Sequence, residues 1–314
     1  VKDTRKWQGY WEGRESTRWT DSIKNLRKKL PIFTQEVFCI GAEVNKYKDL
    51  IVREPLGEVR GDFGYEEAIT RGRIPMAAVS NNYRGRSFRG RKQGYKLVNH
   101  HELLDDVFEE LARFAPGSSA SDIELLEATL LLSIYGARMH IEFLVPLYKR
   151  NSHTLKVTCR NSVDGKFALI INLFLYPEGG GRDIPFDGFR HVHTQELQDG
   201  TVRTFLFNAL NRFLHGTWYT DQVDRDTINR FIDTDRLFTK KERQSVIVEL
   251  DKDKQARVNL LRFRKILTVL VDEGRDVFRG EHYVKFAKLT EELNKLVDEV
   301  EAQQSGSKQT HFFR

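Results

Sequence analysis

The chain has 314 residues, of which 39% are hydrophobic and 31% charged, and its 51 Lys and Arg outnumber 45 Asp and Glu to give a formal net charge of +6. That length fits one large domain or two modest ones, and the mixed surface points to an anionic partner while excluding a polycation. No run nears the roughly 18 apolar residues of a membrane span, and Cys39 and Cys159, without C-x-x-C spacing, exclude a disulfide framework.

Val1-Lys2-Asp3-Thr4-Arg5-Lys6 lacks the apolar core of a secretory signal, so the chain reads as a cytoplasmic protein with no membrane contact and two reduced, buried thiols. Residues 1–30 form a basic aromatic arm, with Trp7, Tyr10, Trp11 and Trp19 among Arg5, Lys6, Arg14, Arg18, Lys24, Arg27, Lys28 and Lys29. The tryptophans have two readings: docking on a neighbouring subunit or on bases, and forming a lid over the chain's own core. Within the arm, Ile23, Leu26 and Leu30 predict a short helix ended by Pro31.

An α+β core is predicted over residues 31–235. It opens with the β-type run of Glu36 to Asn45. Tyr83 to Lys96 follows, with six cationic side chains, three aromatics, three glycines and no acid, and its short spacing predicts a loop. Glu102 to Phe114 is an amphipathic helix with Asn99 placed to cap it and Pro116-Gly117 to end it. Its outer acids, Asp105, Asp106, Glu109 and Glu110, read as a solvated stripe.

Three β-rich segments come next. Leu125 to Ile134 and Met139 to Leu147 predict successive strands, and Leu155 to Arg160 with Phe167 to Tyr176 predict a hairpin across Asp164-Gly165. The run Phe167 to Leu175 is too continuously apolar for a one-sided strand and is expected with both faces covered. Helices are predicted over Val202 to Phe213 and Asp226 to Ile232. A helical C-terminal region over 236–303 and a tail over 304–314 follow. The fold class is therefore α+β, a mainly antiparallel sheet with packed helices and a helical C-terminal extension.

Glu178-Gly179-Gly180-Gly181-Arg182-Asp183 is not a phosphate loop, because Arg-Asp-Ile-Pro follows where Gly-Lys-Ser/Thr must open a helix. His191 and His193 alternate by two, but partners at metal spacing are missing. No Ser-His-Asp or Cys-His order carries a local signature. The sequence predicts no enzyme, no cofactor and no metal. It predicts a nucleic-acid surface instead: guanidinium forks pair with phosphates and aromatic rings stack unpaired bases. The candidate set is Tyr83, Arg84, Arg86, Phe88, Arg89, Arg91, Lys92, Tyr95 and Lys96. A second basic patch of Arg182, Arg190, His191, His193 and Arg203 is expected to continue the groove, and Tyr10, Trp11 and Trp19 join the candidate stacking set.

Val79-Ser80-Asn81-Asn82-Tyr83-Arg84, Tyr95 to Leu104, Gly136-Ala137-Arg138-Met139-His140 and Asn161 to Leu169 resemble segments of the phage/plasmid-like protein family of uncharacterised function, found in phages and mobile elements. The order of helix, strand meander, hairpin and helix is also similar to the core of phage Red-beta type single-strand annealing proteins. That resemblance implies a homo-oligomer holding single strands in a basic groove without ATP hydrolysis. The expected function is thus single-stranded DNA binding and strand annealing in phage or mobile-element recombination. The alternative is a phage-encoded interaction protein that sets the basic segment against an acidic partner.

Overall fold

The computed structural model describes residues 2–3, 16–40, 54–55, 74–81, 86–92, 97–114, 119–133, 136, 138–163, 168–193, 197–233, 237–252, 255–272, 285 and 287–298. The first half contributes β1 (Lys2–Asp3), β2 (Ser16–Ser22), α1 (Ile23–Arg27), β3 (Phe33–Ile40), β4 (Glu54–Pro55), β5 (Ile74–Asn81), β6 (Arg86–Lys92), α2 (His100–Phe114), α3 (Ala120–Glu124), β7 (Glu127–Ser133) and β8 (Arg138–Arg150). Then come β9 (His153–Ser162), β10 (Leu169–Pro177), β11 (Ile184–His191), α4 (Thr201–His215), β12 (Gln222–Asp224), α5 (Arg225–Asp233), α6 (Lys240–Asp251), β13 (Arg257–Asn259) and α7 (Leu260–Asp272). Helical residues 287–298 form α8. The fold is α+β, with antiparallel pairing and a helical C-terminal end.

Among the described residues the main sheet has seven strands in the order β1-β2-β7-β8-β9-β10-β11. Period-two alternation sorts its two faces. Met139, Ile141, Phe143 and Val145 of β8, Leu155, Val157 and Cys159 of β9, and Leu169, Ile171, Leu173 and Leu175 of β10 fill the principal core. Leu103, Leu104, Val107, Phe108 and Leu111 of α2 and Val202, Leu206, Leu210 and Phe213 of α4 pack into the same core. Each such side chain stabilises the fold by about 1.5–3 kcal/mol.

The hairpin pairs Ile170 with Arg160, while its Asp164-Gly165 turn lies outside the described residues. β10 has both faces covered: its odd positions line the principal core, and Ile170 and Phe174 pack with Ala287 of α8. The cap position at Asn99 is also confirmed, but its chemistry differs. The Asn99 carbonyl accepts the first helical bond from Leu103, and Glu102 reaches back to the Asn99 amide at 3.1 Å. The Asn99 side-chain oxygen instead accepts from the Phe33 amide at 3.0 Å, tying α2 to the start of β3.

Residues 16–30 are part of the core rather than an arm. β2 pairs along its length with β7, and Ser22 caps α1 so that Ile23 and Leu26 enter the principal core. Trp19 packs on that core with Lys29 over its ring, which makes it a lid and removes it from the stacking set. Trp7, Tyr10 and Trp11, like the Pro116-Gly117 stop and the 304–314 tail, lie outside the described residues.

A second hydrophobic cluster joins Val223, Ile228, Phe231 and Ile232 to Val246, Leu250, Phe263, Leu267, Leu289 and Leu293. α5, which the sequence placed in the preceding core, thus shares its buried side chains with the helical region. Arg264 bonds this unit to the sheet. Its buried guanidinium donates to the Pro185 and Phe186 carbonyls at 3.1 and 2.6 Å and to Asn294 Oδ1 at 2.6 Å. Burial lowers its pKa to about 10. No helix among the described residues is long and apolar enough to cross a membrane.

Candidate nucleic-acid interface

Arg86, Phe88, Arg89, Arg91 and Lys92 stand on β6 and not in the expected loop; among the described residues β6 is an edge strand of a second sheet ordered β4-β3-β5-β6. The ladder to β5 supplies the backbone partners that the segment's composition does not advertise, and cations suit an edge because they oppose further strand pairing. Val79 stands opposite Phe88 and Ala77 opposite Arg91, so β6 carries one extra residue there. The extra residue falls where Gly90 relaxes the backbone. Beyond this bulge the faces realign: Arg86, Phe88 and Arg91 oppose Asn81, Val79 and Ala77, the alternate positions of one face. Tyr83, Arg84, Tyr95 and Lys96 lie outside the described residues.

The second basic patch does not come together. Arg182 sits in the exposed β10–β11 turn, where Leu175 pairs with Ile184, whereas His191 pairs with Leu169 at the other end of β11. Six strand steps, roughly 20 Å at the usual rise, separate Ile184 beside that turn from Arg190. His191 and His193 do stay close, with the two imidazole rings edge-on at 6.3 Å, while Arg190, the preceding strand position, belongs to the opposite face. Arg203, on the first turn of α4, donates to Asp106 at 2.7 Å and to Glu109 at 2.8 Å.

These pairs also correct the reading of α2 as a solvated acidic stripe. Asp105 pairs with Arg27, Asp106 and Glu109 with Arg203, and Glu110 is buried 3.5 Å from Arg113. Long-range arginines, invisible to a local reading, consume the stripe. A cleft of about 1090 Å³ opens between α2 and the start of α4; among the described residues it is lined by Glu102, Asp105, Asp106 and Asp199 against one cation, Arg203. Its carboxylates repel a polynucleotide. Among the described residues no three His, Cys, Asp or Glu side chains gather as metal ligands.

Sequence reasoning missed the other face of the main sheet. Arg138, His140 and Glu142 of β8 stand beside Ser162, Arg160 and Thr158 of β9, and Asn172 of β10 follows Thr158. Arg138, His140, Thr158, Arg160, Ser162 and Asn172 are all at most 2% exposed. Lys156 reaches Glu142 at 3.2 Å and Asp183 at 2.8 Å. Burial lowers the His140 pKa. Burial alone would raise the Glu142 carboxyl, but hydrogen bonds and charges from His140 and Lys156 outweigh it and hold it well below the carboxylate range. The signal was present as Arg-x-His-x-Glu and Lys-x-Thr-x-Arg-x-Ser in strands whose intervening residues are core-forming.

No family model, curated protein or solved structure matches this chain.

Proposed function

We propose that the chain binds single-stranded nucleic acid, DNA in the first instance, along β6 and its flanking residues Tyr83, Arg84, Tyr95 and Lys96. A homo-oligomer would use that surface to anneal strands without ATP hydrolysis, in the cytoplasm of a host carrying a phage or mobile element. The kinship with phage/plasmid-like proteins belongs to the same proposal.

One observation carries this reading: four cations and one aromatic share a single edge strand, and the bulge at Gly90 gives Arg86, Phe88 and Arg91 one face by register. Same-face positions on a strand recur about every 6.6 Å, close enough for long arginines to take neighbouring phosphates. Affinity comes from phosphate neutralisation with release of counterions, and rings stack the bases. No bond is made or broken, so no catalytic residue is needed. Arg203 and Arg182 are left out, the first held by two carboxylates and the second at the far end of β11.

The test is binding of a fluorescent oligothymidylate across a salt series. Six engaged cations give a log-log slope of about −4, from roughly 0.7 per phosphate on single strands. A slope near zero rejects the proposal. Retention of an acidic protein partner with no oligonucleotide binding would favour the interaction-protein alternative.

A further inference from the structure

We propose that the cleft between α2 and the start of α4 seats residues 308–314 of the same chain, with Phe312 and Phe313 on its apolar floor and Lys308 and Arg314 against its carboxylates. The proposal draws nothing from the nucleic-acid reading.

The cleft has the two surfaces that such a segment needs. Among the described residues Leu97, Val98, Leu103, Leu197 and Val202 give it an apolar lining. Its volume of about 1090 Å³ exceeds the roughly 300–1,000 Å³ of a small-molecule pocket, which leaves room for a short peptide with two rings. The rim is more acidic than the protein neutralises. Asp105 pairs with Arg27 and Asp106 with Arg203, but Arg27 also binds Glu124 and Arg203 also binds Glu109. Glu102 turns to the Asn99 amide, and Asp199 has no ion-pair partner among the described residues. Two guanidinium groups therefore stand against all of these carboxylates, and the positive ends of α2 and α4, about half a charge each, do not close the gap. Burial raises the Asp105 pKa despite Arg27, and the carboxylates of Glu109 and Glu124 add to the rise. A cation entering the cleft relieves this crowding.

Charge selects the occupant. Residues 4–15 are basic and aromatic but carry Glu12 and Glu15, and Tyr83 to Lys96 is tied through β6 into the second sheet. Residues 302–314 hold Lys308, His311, Phe312, Phe313 and Arg314 and no acid. The distance can be spanned. Asp298 of α8 stands 3.6 Å from Arg212 of α4. Arg203 lies nine residues earlier on the opposite side of that helix. The path between them is roughly 22 Å, from a rise of 1.5 Å per residue and a diameter near 11 Å. The ten residues from Asp298 to Lys308 extend to about 33 Å. Tethering also raises the local concentration of the segment to the order of millimolar, so that weak exposed pairs suffice to hold it.

Photo-crosslinking in the full chain tests the assignment, with benzoylphenylalanine in place of Phe313 and the products mapped by mass spectrometry. Cross-links to residues 97–106 or 197–203 in a product of monomer mass are expected. Their yield should fall to about a third or less in Asp199→Lys and in Lys308→Glu/Arg314→Glu, as expected when exposed pairs are reversed. Asp199 is exposed, and circular dichroism verifies that its variant is folded. Cross-links that miss the cleft, or yields that ignore both charge reversals, overturn the proposal. Cross-links at the cleft only in a product of doubled mass also overturn it and give the cleft to the segment of a second copy.

Discussion

Gly188 of β11 and Ala287 of α8 meet backbone to backbone: a Cβ at position 188 would stand 2.6 Å from Ala287 Cα and 2.8 Å from Thr290 Oγ1. Both obstructing atoms are anchored, one in a helical backbone and one on a short buried side chain that donates to the Ala287 carbonyl.

Gly188→Ala is accordingly expected to lower unfolding free energy by about 1–3 kcal/mol, the range for overpacking a filled interior. Urea denaturation measures it. Gly179→Ala, where nothing lies within 4 Å, is the control and should leave the midpoint unchanged. Equal effects at the two positions would contradict the close contact.

Glu142 predicts an acid-sensitive share of stability. Its folded pKa, about 2, is depressed from an ordinary 4.5, so the contribution is full above the ordinary value and disappears as pH falls through the folded one. His140 first and Lys156 second hold Glu142 down by hydrogen bond and charge, and the contribution is expected at about 1–2 kcal/mol. Urea midpoints followed from neutral to acid pH should drop less steeply for Glu142→Gln than for the wild type. Parallel curves would show that the carboxylate is not held in this way.

Arg203 separates structure from binding. Arg203→Ala breaks exposed pairs to Asp106 and Glu109 and should cost about 0.5–1 kcal/mol of stability. Oligothymidylate affinity should stay at the wild-type value, as read by fluorescence anisotropy. A large loss of affinity would return Arg203 to the interface.

On β6 the expected result is the reverse. Alanine at Arg86, Arg89, Arg91 and Lys92 together should move the salt slope from about −4 to about −1. Phe88→Ala, Tyr83→Ala and Tyr95→Ala should each cost about 1–3 kcal/mol of binding if the ring stacks a base. An unchanged slope in the quadruple variant would place the polynucleotide elsewhere.

The elements legible in the sequence are those whose cause is local. Leu103, Val107 and Leu111 repeat at helical spacing, and the continuous apolar run of β10 announces a strand covered on both sides. What remained hidden depends on distant partners. β2 becomes a strand because β7 pairs with it, a contact that brings Thr20 to Thr129. The acids of α2 look solvated until Arg27 and Arg203 arrive from 78 and 97 residues away. The polar positions of β8 and β9 went unread, because alternation gives which residues share a side and not whether that side is covered. For the candidate interface, composition identified the basic segment, while its strand pairing and the bulge that aligns Arg86, Phe88 and Arg91 came from the register with β5.

The seat of α8 on β10 and β11 carries a lesson for anyone trimming this chain. A version ended before residue 285 would strip the cover from Ile170 and Phe174 and take away Asn294, one of the acceptors of the Arg264 guanidinium. Two large apolar groups would then meet water while a charged group lost a ligand, so the shortened product should clump or be digested rather than survive as a smaller working unit.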